Sequence, residues 1–180
     1  MKENVSEIES SLSVLYESFV IMNRVCWQGR LPPCLLRMSY RLSLRIGAYA
    51  SSQYRIVFNA KYSQCVDDSV FLQIMAHEMI HIWQYSLGRR GGHGRDFKNE
   101  ELRLGLVPGG EIPLDSPLGY VFFMHRLKGL HPADAARKIA AHPNRRRLET
   151  DYFQAIYRQQ KNRTKGQNHA TAKSCQRKSL

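Results

Sequence analysis

With 180 residues, 43% of them hydrophobic, and a net charge of +12, the chain can bury the core of one domain and is too short for two comfortable ones. No apolar run approaches the roughly 20 residues that cross a bilayer, and Met1-Lys2-Glu3-Asn4 leads into acidic residues rather than a signal peptide. A chain with no membrane partner is expected, not secreted and working in the cytoplasm or in a nucleus if the host has one. Cys26, Cys34, Cys65 and Cys175 are widely spaced with no CxxC pair, which argues against a zinc knuckle or a disulfide framework and for free core thiols.

Residues 3–28 read as a helix, because Ile8, Leu12, Leu15, Tyr16, Phe19, Val20 and Asn23 recur at three- and four-residue steps with charges between them. Met22, Val25 and Trp27 are expected in the core. Gly29 ends the helix, and Leu31-Pro32-Pro33 turns the chain into an extended segment. From Leu35 to Ala60 the pattern is that of strands. Leu36 to Leu44 alternates apolar and polar residues, Ile46 to Ala50 is a second short candidate, and Tyr54 to Asn59 is a third after the turn residues Ser51-Ser52-Gln53. Arg37, Arg41, Arg45 and Arg55 can form a basic outer face on this small sheet, or solvated charge that discourages strand association.

The next stretch, Val70 to Tyr85, is apolar at helical spacing, with Asp67 or Asp68 as N-cap and Gly88 closing it. Inside it stands His77-Glu78-Met79-Ile80-His81. Each helical residue advances about 100°, so His77 and His81 lie one turn apart on one face and can reach a single tetrahedral metal. This is the HExxH arrangement, in which two His bind Zn²⁺ and the Glu handles the protons of the attacking water.

Gly88-Arg89-Arg90-Gly91-Gly92 follows, a basic loop rich in glycine, and then His93-Gly94-Arg95-Asp96-Phe97 leads into a helix that Gly105 stops. A catalytic zinc takes three protein ligands and keeps the fourth position for water. His93 is the best third ligand, since the glycine loop can carry it back across the cleft and Phe97, one turn later, can anchor it. His125, His131, His142 and His169 fit surface or core roles better.

A helical HExxH, a glycine-bearing loop and an HGxxF segment opening another helix resemble the SprT-like, or Spartan-type, zinc metalloprotease family. The resemblance covers about residues 10–105 and includes the Gly29-Arg30-Leu31-Pro32 turn and strands ending in Phe58-Asn59. Eleven residues separate His81 from His93, too many for the metzincin spacing of five. The resemblance implies a compact zincin-like α+β fold: an N-terminal helix, a small three-stranded sheet, the HExxH helix and the third-ligand helix. It implies one catalytic Zn²⁺ at His77, His81 and His93, Glu78 as general base, and a protease for DNA-associated proteins, including covalent DNA–protein crosslinks. Many members carry a cysteine zinc ribbon after the core, whereas no paired cysteines follow Gly105 here.

Past Gly105 a loop full of breakers runs to Pro117. Tyr120 to Leu127 fits a strand or a short helix. Pro132 opens a helix running to about Ala141, His142-Pro143-Asn144 breaks it, and Leu148 to Gln160 reads as a last helix. From Lys161 onward the chain is polar, basic and without aromatics, a composition of disorder. The expected organisation is a core over residues 1–105, a helical extension packed on it over 106–160, and a basic tail over 161–180. From Arg145 to Leu180 ten Lys or Arg face only Glu149 and Asp151, which suggests an arm for a polyanion, nucleic acid above all. Candidate contacts are Arg89, Arg90 and Arg95 beside the cleft, and Arg145, Arg146, Arg147, Lys161, Arg163 and Lys165 towards the C-terminus. Tyr120, Tyr85, His125 and backbone amides all remain open as oxyanion donors.

Two rival readings belong to other classes. One is a nucleic-acid-binding module with a structural zinc, which has no need of a carboxylate such as Glu78 beside the metal. The other is a zinc hydrolase acting on RNA, whose usual ligand spacing the three histidines do not match.

Overall fold

A computed structural model describes residues 5–42, 47–63, 66–108, 110–127, 130, 132–148 and 150–151. Residues 1–4, Arg45, Cys65, His131, the tail with Lys161, Arg163, Lys165, His169 and Cys175, and most of the expected last helix lie outside them. The chain divides into two compact units, Met1–His125 and Arg126–Leu180.

The first unit is α+β. Helix α1 (Val5–Trp27) buries Leu15, Phe19, Met22 and Cys26, a stripe stepping by four, three and four residues. Tyr16 and Val20 sit about 100° round from that stripe, and Val20 is 61% exposed, so the expected apolar face is narrower than the sequence suggests. The Tyr16 hydroxyl still works, accepting a hydrogen bond from the Leu36 amide. Gln28 and Gly29 both take positive φ, and the Gly29 amide reaches back to the Asn23 carbonyl. Asn23 then holds the following turn through both its amide groups, which bond the amide and the carbonyl of Leu31.

Three strands follow: β1 (Leu35–Ser39), β2 (Ala48–Ser51) and β3 (Arg55–Asn59), in the order β1-β3-β2. β1 runs parallel to β3, with Leu36 opposite Ile56 and Met38 opposite Phe58, while β2 pairs antiparallel along the other side of β3. The first strand is shorter than its alternating pattern predicts. Its end is set by the Ser39 hydroxyl, which takes the Arg41 amide and turns the backbone out of the ladder. Leu36, Ile56 and Phe58 enter the core, with Met38, Ala48 and Ala50 packed against it. Arg37 and Arg41 are exposed, Arg55 is half-buried with its Nε unpartnered, and Arg45 lies outside the described residues.

A short turn of helix, α2 (Ala60–Ser63), leads to α3 (Asp68–Ser86). Asp67 caps α3 by accepting from the amides of Ser69 and Val70 and from the Ser69 hydroxyl. Leu72, Met75, Ala76, Met79, Ile80 and Ile82 are buried along it, so α3 is the central rod of the unit. Gly88, at φ +69, follows its cap residue Leu87.

Helix α4 (Arg95–Leu104) buries Phe97, Glu100 and Leu104, and Gly105 closes it at φ +74. It is tied to the end of α1. The Glu100 carboxylate accepts from the Trp27 indole at 2.8 Å and from Arg103, whose guanidinium also donates to the Cys26 carbonyl. Cys26 and Cys34 are buried thiols outside any disulfide, as expected, and burial pushes Cys34 up to about 11. α5 (Pro117–Leu127) settles the open choice after the breaker loop in favour of a helix.

In the second unit α6 (Pro132–Ala140) buries Ala135 and Ile139, and residues 145–148 and 150–151 are helical, earlier than the Leu148 start expected. Among the described residues no helix is long and apolar enough to cross a membrane.

Candidate metal centre and active site

The helical period of α3 sets His77 over His81, and their ring centroids lie 5.2 Å apart. The glycine loop brings His93 back to both: its ring is 5.0 Å from that of His77 and 4.9 Å from that of His81. The Nε2 atoms of His77 and His93 are 3.0 Å apart, and one ligand nitrogen from each of the three rings lies within 4.8 Å of the others. The three histidines are therefore close enough to hold a metal ion. Phe97, fully buried, places its ring 4.6–4.8 Å from all three imidazoles and forms an apolar floor.

A second set of groups backs these histidines. His81 Nδ1 meets Gln84 Oε1 at 2.9 Å, and His77 Nδ1 lies 3.8 Å from Glu101 Oε1. In both rings it is Nδ1 that faces an oxygen of the protein. Burial, with His81 and His93 as neighbours, lowers His77 to about 4, and burial also lowers His81. Both rings are thus held neutral at physiological pH, the form that ligates a metal. Three imidazole nitrogens fit zinc, which accepts nitrogen donors at about 2.0–2.1 Å and leaves a fourth position open in catalytic sites.

Glu78 follows His77 on α3 and is only 6% exposed. Desolvation pushes its carboxyl up to about 7, opposed in part by a hydrogen bond from the Ala50 amide of β2. The sheet edge thus reaches the carboxylate that the motif supplies.

The other sequence candidates scatter. Arg89 is paired with Asp96 and lies 5.8 Å from the centre of the Trp83 ring, while Arg90 and Arg95 are exposed on the same loop and helix start. Arg145, Arg146 and Arg147 are exposed in the second unit, with Arg147 Nε 3.9 Å from Asp151. His125 sits 3.6 Å from Asp68, in the first turn of α3. Nine helical steps lead from Asp68 to His77, about 13 Å of axial rise. Tyr120 is buried, and the Tyr85 ring lies against Gly91. Gln84, Glu101 and the Ala50 amide are absent from the sequence reading. For Gln84 a signal existed, since it stands three residues after His81 and so shares its helix face.

No curated protein and no solved structure matches the chain. The SprT-like family model matches residues 15–113, more than half of the chain and all of the elements that carry the three histidines and Glu78. By that match and by the arrangement of its histidines, the chain belongs to the SprT-like family.

Proposed function

We propose that this chain is a zinc-dependent endoprotease of zincin-like fold that hydrolyses peptide bonds in DNA-associated proteins, DNA–protein crosslinks among them. The observation that carries the reading is the convergence of His77, His81 and His93 beside a carboxylate that is almost fully buried. A structural zinc has no use for such a carboxylate, whereas hydrolysis does.

His77, His81 and His93 would hold Zn²⁺. When bound there, the ion supplies Lewis acidity, lowering the pKa of water and polarising a scissile carbonyl. Glu78 takes the proton of the attacking water and passes it to the leaving amine. A carboxyl near pH 7 is matched to both halves of that task. The Ala50 amide holds one end of the carboxylate in place during the exchange. Phe97 keeps one side of the imidazole cluster dry.

DNA as the surface that presents the substrate is supported by the family resemblance and by the charge. Arg89, Arg90 and Arg95 flank the histidine cluster in sequence, and the segment from Arg145 to Leu180, with Lys161, Arg163 and Lys165 in it, carries most of the basic excess. Glu78→Gln tests the reading. It keeps the shape of the side chain and the zinc ligands, so zinc content and fold should be retained while proteolysis is lost. A zinc-loaded Glu78→Gln chain that cleaves at the wild-type rate would sink the assignment.

A further inference from the structure

Gln84 is 4% exposed and makes three hydrogen bonds to protein groups. Its Nε2 donates to the Gly92 carbonyl at 2.8 Å, and its Oε1 accepts from the Gly92 amide at 3.2 Å. Those two bonds fix which end of the carboxamide is which. A flipped amide would set oxygen against oxygen and N–H against N–H at a buried site. Because Oε1 is so placed, the His81 Nδ1 that meets it at 2.9 Å must carry the hydrogen. His81 Nε2 is then left with its lone pair.

We infer that Gln84 is the positioning residue of the metal site, fixing the tautomer of His81 and the placement of the loop that delivers His93. The inference rests on the metal-site reading above. One side chain thereby joins a ligand on α3 to the peptide directly before the third ligand. Both requirements call for a primary amide: an oxygen able to accept from two N–H groups and an N–H able to donate to a carbonyl. No apolar residue meets either requirement, and a carboxylate meets only the first. The corresponding oxygen for His77, on Glu101, lies at 3.8 Å, beyond hydrogen-bond range, so Glu101 does not hold its ring in the same directional way.

The test uses the full-length chain labelled with ¹⁵N-histidine. In the metal-free protein, long-range ¹H–¹⁵N correlations should show His81 protonated at Nδ1. Protonation at Nε2 would overturn the inference. In competition with a chromophoric chelator, Gln84→Met should bind zinc roughly 10- to 100-fold more weakly and mix the two tautomers. Gln84→Glu keeps the acceptor for His81 and the Gly92 amide but sets an oxygen against the Gly92 carbonyl, so it should restore the Nδ1–H tautomer while zinc affinity stays below wild type. Wild-type affinity in Gln84→Met, or mixed tautomers in Gln84→Glu, would contradict the assignment. The tautomer measurement needs no zinc, so failure of the wild-type chain to bind zinc would count against the metal-site reading alone.

Discussion

His77 Nε2 and His93 Nε2 lie 3.0 Å apart although the two residues stand sixteen positions apart along helix and loop. Nothing in helix geometry requires this. The α3 period brings His77 to His81, but His93 arrives only because the loop folds back, Gly92 is clamped by Gln84, and Phe97 is sunk in the core. His93→Ala should therefore lower zinc content below one ion per chain at saturating protein, as read by metal analysis after gel filtration. Stoichiometric zinc in that variant would place the third ligand elsewhere.

Phe97 touches all three imidazoles and is fully buried. Phe97→Ala should cost about 3–5 kcal/mol of stability and also weaken zinc binding, while Phe97→Leu should do less of both. Denaturant melts beside chelator competition separate the two effects. Unchanged zinc affinity in Phe97→Ala would deny the floor any part in shaping the site.

The Trp27–Glu100–Arg103 network ties α1 to α4, and through α4 to His93. Glu100→Leu leaves the buried Trp27 N–H without an acceptor, which should cost about 1–3 kcal/mol. Trp27→Phe in the Glu100→Leu background should recover part of that loss, because the orphaned donor is then gone. A double variant as unstable as the sum of the singles would show that the indole N–H is not the source of the penalty.

Asp67 gives the pH dependence a definite sign. Its bond from the Val70 amide, and then that from the Ser69 hydroxyl, hold the carboxyl below the usual carboxylate range. A folded-state pKa below the unfolded one contributes stability that is present above the unfolded value and is lost as the pH falls through the folded one. Asp67→Ala should thus lower the Tm at neutral pH, with the gap to wild type narrowing in acid. Asp67→Asn, which keeps an acceptor, should lie between them with a flatter acid limb. A gap that widens in acid would reverse the sign.

Truncation after Gln160 removes Lys161, Arg163, Lys165 and the basic residues beyond. DNA binding should weaken, and the slope of log K against log salt should flatten, since fewer phosphates are neutralised. An unchanged slope would move the DNA contact to Arg89, Arg90, Arg95 or Arg145 to Arg147.

The parts of this site that were legible in the sequence are those fixed by short-range periodicity. His77, Glu78 and His81 belong to one turn of one helix, and Asp67 and Gly88 mark its ends by chemistry that acts within four residues. The approach of His93 to His77 and His81 was legible because HGxxF places a histidine one turn before an apolar anchor. Where local pattern and tertiary context compete, the pattern misleads. Val20 fits the three- and four-residue rhythm of α1 but lies off the stripe that the sheet and α3 cover. The alternation from Leu36 to Leu44 continues past the point where the Ser39 hydroxyl ends β1. Glu101 and the Ala50 amide were out of reach, because their roles depend on how α4 and the sheet edge approach α3.

Cleavage of a basic DNA-binding protein by the zinc-loaded chain, with and without DNA and beside Glu78→Gln, tests the central claim most directly. Fragments resolved by mass spectrometry should appear with the wild-type chain, increase when DNA is present, and vanish with Glu78→Gln. An intact substrate under every condition, with zinc bound at His77, His81 and His93 and DNA binding preserved, would contradict the protease assignment and leave a nucleic-acid-binding module with a structural metal.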